Sequence, residues 1–228
     1  TLTHEITFIT LPINNLKNIN QAFVDCDLKI ERLISRTFAL GVNSLNNKDL
    51  EYGSAVIDVG FEKISLGVFK NLALVHSVTI PIGTNHITKD ISKVCSLDLQ
   101  EAEKIKDDID FSFTKNQKIF DKNNFLNNSY FVNTNYRKIS ENLIFSVVKA
   151  RLDEILYKLK KQFIVPGLNI SSGMNVFITG GGSNLLNIQK YFINFFGQNI
   201  KEVHNNLSSN SDDLENSFSA CLGALKII

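Results

Sequence analysis

The stretch Ala55-Val-Ile-Asp-Val-Gly60 is an apolar strand pattern that ends in an aspartate and a glycine. It opens a run of three closely spaced strand patterns, of which the second is Lys63 to Phe69 and the third is Leu72 to Ile80. The first turn contains Gly60, and Lys70-Asn71 separates the last two strands. Because connections this short join neighbouring antiparallel strands, the run predicts an antiparallel meander.

A second strand with a glycine turn follows about 120 residues later, in Val176-Phe-Ile-Thr-Gly-Gly-Gly-Ser183. Three glycines between a buried strand and a helix let a ligand approach the backbone closely, and they expose the first N–H groups of the helix. A tight, flexible connection capped by Ser183 or Asn184 is the simpler alternative. The spacing is neither G-x-G-x-x-G nor a G-K-[ST] phosphate loop, so neither of those two nucleotide sites is expected.

The rest of the chain reads mainly as helices. In the longest, Ser140 to Phe163, the 3.6-residue period predicts a buried stripe of Leu143, Val147, Leu152, Ile155, Leu156 and Leu159. Further helices are predicted at Asn15–Cys26, Phe38–Leu45, Thr84–Cys95, Asp98–Asp108, Leu185–Phe196 and from Leu214. Two more strands are predicted at Glu5–Thr10 and Leu28–Ile34. Polar loops are predicted at Asn46–Asp49 and Asn205–Asp213, and an irregular, solvated insertion at 109–136. A meander, then helices, then a strand, a glycine turn and a helix predict an α/β fold with a mixed sheet.

Composition excludes several classes of protein. The net charge of +1 offers no field to attract nucleic acid, so no nucleic-acid partner is expected. Three scattered cysteines argue against a disulfide scaffold or a zinc site and favour a reducing, cytoplasmic setting. No run approaches the roughly 20 apolar residues of a membrane helix. The ends at Thr1 and Ile228 both interrupt predicted elements, so we expect a piece of a longer protein.

Asp58 and Gly60 are the first candidate ligand-binding residues. A carboxylate at the end of a strand can hold a magnesium ion through water, and a following hairpin with small residues lets backbone N–H groups approach phosphate oxygens. The alternative is an ordinary β-turn with a solvated aspartate.

The order and spacing of these segments resemble the bacterial cell-division family FtsA, within the actin and Hsp70 superfamily. The resemblance implies an actin/Hsp70-like (ribonuclease H-like) fold with an inserted helical subdomain. The matching segments are Gly53–Val59, Val75–Gly83, Ile87–Ile91, Glu101–Lys106, Ile139–Glu154, the triple-glycine turn and Phe218–Leu225. By this resemblance, 1–28 is the tail of a small family-specific subdomain, 29–52 the return into the first large subdomain, 53–91 and 166–228 the second large subdomain, and 92–165 the helical insertion.

The resemblance also implies a site for ATP and Mg²⁺. Asp58 and Gly60 would lie at the phosphate and magnesium end, with Asp58 holding the metal through water, and Gly83 and Asn85 would line the same cleft. Glu103 and Lys106, at i and i+3 and expected to point outward, match the family's ribose-contacting pair; an exposed ion pair worth little is the alternative. Gly180, Gly181 and Gly182 would pack along the adenosine.

One segment departs from the family. Phe61 and Glu62 stand where glycine is usual, and Glu62 would put negative charge near the phosphates. At ~4 Å and an effective dielectric constant of ~20, this repulsion amounts to about 4 kcal/mol per unit charge, unless Lys63 offsets it or Glu62 points to solvent. Threonine and aspartate groups that could orient an attacking water are missing as well. We therefore predict weak or absent ATP hydrolysis.

The resemblance favours a scaffold of cell division over an enzyme. Such a scaffold self-associates into actin-like filaments, binds the C-terminal tail of FtsZ and tethers it to the cytoplasmic face of the inner membrane at the septum, here through a C-terminal helix outside this chain. The helical subdomain would supply the FtsZ site, with Arg137, Lys149 or Arg151 facing an acidic tail. The alternatives are another actin-like assembly protein (PilM-like or MreB-like) or a sugar kinase-like enzyme of the superfamily.

Overall fold

A computed structural model describes residues 2–3, 6, 8–113, 117–163, 174–197, 200–202 and 218–227. Within these ranges the chain forms one sheet, with helices on both of its faces. The strands are β1 (Ser54–Val59), β2 (Ile64–Lys70), β3 (Ala73–Ile80), β4 (Asn175–Thr179) and β5 (Ile200–Glu202). The helices are α1 (Ile13–Val24), α2 (Arg36–Ser44), α3 (Asn47–Tyr52), α4 (Thr84–Cys95), α5 (Leu99–Asp108), α6 (Glu141–Gln162), α7 (Ile188–Phe196) and α8 (Ser219–Leu225), with 3-10 turns at Asn128–Tyr130 and Gly181–Asn184.

The predicted mixed sheet is confirmed. Its strand order is β3-β2-β1-β4-β5; β1, β2 and β3 run antiparallel as a meander, whereas β4 pairs in parallel with β1 and β5 in parallel with β4. Asp58 lies opposite Ser65 on β2 and opposite Thr179 on β4. The parallel register therefore brings the end of the Asp58 strand beside the glycine turn that follows β4.

Alternate side chains of β1 enter two different cores, because successive residues of a strand point to opposite faces of the sheet. Ala55, Ile57 and Val59 pack into the larger core, which α4, α5, α6 and α7 cover. Val56 enters the smaller core with Leu40 of α2. All six residues of β1 are buried, because both faces of the strand are covered by other parts of the protein.

Helices α4, α5 and α6 lie in the segment between β3 and β4. Asp98 and Glu101 begin α5 with a reciprocal capping box, and the Ser140 hydroxyl accepts the Leu143 N–H at the start of α6. Ser96 ends α4 in a left-handed conformation with φ 46°. In the described part of the chain, no helix combines the length and the apolar character needed to cross a membrane.

Some predicted elements are wrong. Residues 28–34 are irregular instead of a strand. The polar segment Asn46–Asp49 is the start of α3 instead of a loop, because the Asn46 side chain accepts the Asp49 N–H as an N-cap. Residues 6 and 8–10 of the predicted first strand are irregular as well, and the rest of that strand lies outside the described residues.

The predicted burial of α6 and of the insertion 109–136 also needs correction. In the first half of α6 the buried residues are Ile144 and Val148, while Leu143 is exposed and Val147 only partly buried. Residues 109–136 were predicted to be a solvated connection, yet within their described part Ile109, Phe111 and Leu126 are fully buried. The helix ending at Gly197 begins at Ile188, not at Leu185. Pro166-Gly167, the loop Asn205–Asp213 and Leu214 lie outside the described residues.

Candidate functional site

Asp58 forms an ion pair with Arg36 at the end of β1. The Arg36 Nε lies 2.6 Å from Oδ2 of Asp58, and Nη2 lies 3.3 Å from Oδ1. Asp58 is only 5 % exposed, whereas 58 % of the Arg36 side chain is exposed. The hydrogen bond to Asp58 raises the pKa of the Arg36 guanidinium, so the arginine stays positively charged.

The triple-glycine turn packs against the end of β1. Gly180 has φ 90°, and a Cβ at this position would lie 2.4 Å from Oδ1 of Asp58. A Cβ on Gly182 would lie 2.5 Å from Cγ1 of Val59. At Gly181 a Cβ would meet no atom within 4 Å. Two of the glycines are therefore required by close packing, and the middle one leaves open space over the turn.

The hairpin after β1 is seated on the N-terminus of α4. The Gly60 carbonyl accepts the Thr84 N–H at 3.1 Å, and the Phe61 carbonyl accepts the Asn85 N–H at 2.8 Å. A Cβ on Gly83 would lie 2.3 Å from the Phe61 carbonyl oxygen, which explains the glycine there. These two N–H groups of α4 are consequently engaged and are not available to a phosphate.

At the tip of the hairpin, the N–H groups of Phe61 and Glu62 have no acceptor among the residues that the structure describes. The Glu62 carboxylate accepts a hydrogen bond from Nδ2 of Asn85 at 2.5 Å and lies 3.8 Å from Nζ of Lys89. Its side chain is 60 % exposed. The charge of Glu62 is thus screened by water and by a lysine, and its repulsion on a nearby phosphate falls well below the about 4 kcal/mol expected from the sequence.

Lys106 is buried, which corrects the expectation that it points outward with Glu103. Its side chain is only 3 % exposed and forms ion pairs with Glu103 and, at 3.6 Å, with Asp107. The Thr88 hydroxyl of α4 donates to the same Glu103 carboxylate. The Lys106 Nζ lies 5.7 Å from the centroid of the Phe61 ring, a cation–π distance that connects α5 with the hairpin.

The structure brings the residues predicted for this cleft together along one path of contacts, which runs from the glycine turn through Asp58 and the hairpin to α4 and α5. A cavity of about 440 Å³ adjoins the glycine turn and is lined by residues 183–190. None of the predicted site residues lines this cavity, so it lies beside the path and is not part of it. The positions Asp58, Gly60, Gly83, Asn85, Glu103, Lys106, Gly180, Gly181 and Gly182 all belong to this path or to the turn beside it.

Sequence reasoning missed Arg36. A hydrogen bond across 22 residues has no local signature, and the helix predicted from Phe38 left Arg36 outside it. Arg36 is the first residue of α2, and a cation at a helix N-terminus opposes the helix dipole. Such a residue is best explained by an anionic partner elsewhere in the fold.

The residues present fit a nucleotide better than they fit a magnesium ion. The open glycine turn and the free hairpin N–H groups are suitable for close approach of phosphate and sugar. Mg²⁺ keeps several of its waters and demands octahedral geometry, yet both Asp58 oxygens accept hydrogen bonds from Arg36 and the carboxylate is almost fully buried. Nor, within the described ranges, do three His, Cys, Asp or Glu side chains gather to hold a metal ion.

A second concave surface lies between α4 and α6. It encloses about 280 Å³. Its floor is apolar and its rim is charged, with Asp90, Val94, Val147, Ala150, Arg151 and Glu154 as lining residues. Of the three basic residues expected near a partner, only Arg151 lines this groove, where it binds Asp90 through Nε at 2.5 Å and Nη2 at 2.9 Å. Hydrogen bonding to Asp90 raises the pKa of Arg151.

The other two basic residues are placed differently. Arg137 donates to the carbonyl oxygens of Cys95 and Ser96, so it stabilises the C-terminus of α4. Lys149 is exposed on α6 and has no ion-pair partner among the described residues. It does not line the groove.

Comparison with known proteins identifies one family. The family model described as cell division protein FtsA matches residues 55–223. The cell division protein FtsA of Agrobacterium fabrum is 23% identical over 193 residues, which is 85% of this chain and 44% of the relative. That of Buchnera aphidicola subsp. Schizaphis graminum is 26% identical over 231 residues, covering 96% of this chain and 54% of the relative. The chain thus spans about half the length of these curated relatives.

Solved structures support the fold. MreB 5 of Spiroplasma citri bound to AMPPNP superposes with a TM-score of 0.65 at 19% identity, covering 94% of this chain and 63% of that one. The PilM-PilN type IV pilus biogenesis complex superposes with a TM-score of 0.64 at 17% identity, covering 92% and 57%. These likenesses show that the fold is actin-like, as expected from the sequence, but they do not extend the function of either protein to this chain.

Proposed function

This chain belongs to the family of the cell division protein FtsA, and from that membership we propose that it acts as an actin-like scaffold at the bacterial division septum. The observation that carries the proposal is the match of the family model to residues 55–223, which includes both strands of the cleft and the whole α4–α6 segment. The MreB-like and PilM-like alternatives are supported by fold alone, at identities below 20%.

The cleft around Asp58 is proposed to bind ATP. Support comes from the open backbone at Gly181, the unpaired N–H groups of Phe61 and Glu62, and an MreB relative in fold that was solved with AMPPNP. The glycine turn would receive the adenosine and the hairpin the phosphates. Glu103 would be the ribose contact, because its side chain is partly exposed whereas that of Lys106 is buried.

The groove between α4 and α6 is proposed to bind the C-terminal tail of FtsZ. A tail that combines apolar and acidic residues would place its apolar side chains against Val94 and Val147 and a carboxylate against Arg151. Arg151 already pairs with Asp90 and Glu154, so the incoming carboxylate must compete for the guanidinium.

The direct test is the binding of a fluorescent FtsZ tail peptide to the full-length protein, followed by anisotropy. Ala150→Glu places a bulky negative charge in the groove, and we expect it to weaken binding at least about tenfold, or about 1.4 kcal/mol. Asn142→Glu adds the same side chain to the exposed face of α6 outside the groove and should leave binding unchanged. Equal binding by wild type and Ala150→Glu would exclude the groove, and no binding by the wild type would remove FtsZ as the partner.

The remaining parts of the proposal concern the complete protein. Residues 53–91 and 166–228 would form the second large actin-like subdomain, 92–165 the helical insertion, 29–52 the return into the first large subdomain, and 1–28 the tail of the small subdomain. Self-association into actin-like filaments and attachment to the cytoplasmic face of the inner membrane are proposed for the complete protein, of which this chain is a part. Sedimentation and liposome flotation of the full-length protein, with and without nucleotide, test these two properties.

A further inference from the structure

The Arg36–Asp58 pair lies at the point where a cation would be expected to meet the phosphates. The two Asp58 oxygens face a planar fork of donors, with Nε at 2.6 Å and Nη2 at 3.3 Å. The backbone of Gly180 packs against another side of the carboxylate, since a Cβ added at Gly180 would lie 2.4 Å from Oδ1. A hydrated metal ion could reach this carboxylate only after the arginine had left.

Arg36 also retains the means to bind an anion. A guanidinium has five N–H donors, and the hydrogen bonds to Asp58 use two of them. More than half of the side chain is exposed, so the remaining donors are accessible from the solvent side of the pair. Arginine presents these donors in a plane that matches the oxygens of a phosphate, and it remains charged at all relevant pH values.

We propose that the guanidinium of Arg36 takes the place of a divalent cation at Asp58, so that this cleft binds the phosphate groups of a nucleotide without Mg²⁺. The proposal rests on the nucleotide site proposed above. The Asp58 carboxylate is then a positioning group that holds Arg36 at the end of β1, and Arg36 and the hairpin N–H groups contact the phosphate oxygens.

The two possible roles of Asp58 predict opposite effects of Asp58→Asn on nucleotide affinity. If Asp58 held a metal, Asp58→Asn would weaken binding of a metal–nucleotide complex. If Asp58 instead positions Arg36, Asp58→Asn keeps the shape of the side chain and one oxygen that accepts a hydrogen bond from the guanidinium, removes a negative charge beside the phosphates, and strengthens binding several-fold. Arg36→Gln removes the charged donor and should weaken binding about tenfold or more, as expected for the loss of a hydrogen bond to a charged group.

The experiment measures binding of fluorescently labelled ATP to the full-length protein in excess EDTA and, separately, in millimolar MgCl₂. We expect the wild type to bind within about twofold of the same affinity in both buffers, Arg36→Gln to lose affinity in EDTA, and Asp58→Asn to gain it. Lys48→Gln, an exposed substitution on α3, controls for the general loss of a positive charge. Thermal unfolding without ligand establishes that each variant is folded.

Two results would overturn the proposal while leaving the nucleotide site intact: a tenfold or greater loss of wild-type affinity in EDTA, or weaker binding by Asp58→Asn. A wild type that binds no nucleotide in either buffer would overturn both the nucleotide site and this inference. None of these three results affects the FtsZ peptide measurement, so failure of the scaffold function is distinguished from failure at this cleft.

Discussion

The Glu101 carboxylate accepts the backbone N–H of Asn133 at 2.7 Å, although 32 residues separate the two in sequence. The same carboxylate accepts the N–H groups of Val132 and Thr134 and the Thr134 hydroxyl, and it also caps α5 through the Asp98 N–H. Glu101 is only 2 % exposed. One buried carboxylate therefore fastens the end of the irregular insertion to the first turn of α5.

This arrangement predicts a pH dependence of stability. Burial by itself would raise the pKa of Glu101, but the hydrogen bonds from Asp98, Asn133 and Thr134 lower it from 4.5 to about 2. The unfolded chain therefore takes up the proton at higher pH than the folded protein does. The stabilisation by Glu101 should be complete above about pH 5 and lost as the pH falls towards 2, which denaturant unfolding at a series of pH values would measure.

Glu101→Gln should remove this pH dependence. At neutral pH we expect it to cost about 2–3 kcal/mol, because a charged acceptor of several N–H groups is replaced by an amide that must also bury two donors. Glu51→Gln, at an exposed position of α3, is the matched control and should change stability by less than about 0.5 kcal/mol. Parallel pH profiles for wild type and Glu101→Gln would show that Glu101 is not the responsible group.

The glycine turn predicts a contrast between two adjacent positions. Gly180→Ala should destabilise the protein by about 3 kcal/mol, because φ 90° is unfavourable for alanine and its Cβ would collide with Asp58. Gly181→Ala should be tolerated, since nothing lies within 4 Å of its Cβ. Thermal or chemical unfolding of both variants tests this, and equal stability of the two would contradict the packing described.

Gly181 offers a separate prediction about binding. If the adenosine packs along the turn, Gly181→Val should keep most of the stability yet lower nucleotide affinity about tenfold, because the side chain fills the open space. The measurement is titration with labelled ATP after unfolding experiments have established that the variant is folded. Unchanged affinity would place the adenosine elsewhere.

We expect Glu62→Gln to raise the nucleotide affinity slightly. The carboxylate lies at the hairpin tip and repels phosphate, but Lys89 and solvent screen it, so the gain should be about two- to fivefold rather than the thousandfold that an unscreened charge would give. The difference between wild type and variant should shrink as salt concentration rises. A loss of affinity would indicate that the hydrogen bond to Asn85 matters more than the charge.

The full-length protein should show no ATP turnover above the rate in buffer. The hairpin Gly60-Phe-Glu-Lys63 offers no threonine or aspartate to orient an attacking water, and Arg36 engages the Asp58 carboxylate. Phosphate release is the measurement, with Asp58→Ala alongside the wild type. Turnover by the wild type that Asp58→Ala abolishes would contradict this prediction and would make the protein an ATPase.

The sequence predicted the elements whose signals are local. The three strands of the meander begin and end within a residue or two of their predicted positions, because Gly60 and Asn71 mark the turns. Helix α4 has the predicted bounds, Thr84 and Cys95. The segment 28–34 has the residue types of a strand, but no strand pairs with it in the described part of the chain, and a strand requires a partner.

The parts that were missed depend on distant contacts. The insertion 109–136 has no helical or strand period, so its burial against α6 and α7 could not be predicted from the order of its residues. The same holds for the site, where the sequence suggested Asp58 as a metal ligand but gave no sign of Arg36, which lay outside the helix predicted from Phe38. An aspartate at the end of a strand predicts a site, while only the three-dimensional structure shows what the aspartate contacts.

The parallel pairing of β1 with β4 has a kinetic consequence. Asp58 and Thr179 lie side by side in the sheet, but a long stretch of chain that includes α4, α5 and α6 separates them in sequence. Closing so long a loop is entropically costly, and topologies rich in such non-local pairings fold slowly. We therefore expect the meander and the α4–α6 segment to become protected from hydrogen exchange early, with the cleft assembled last. Ligand binding would then report completed folding of the chain, not of any one part.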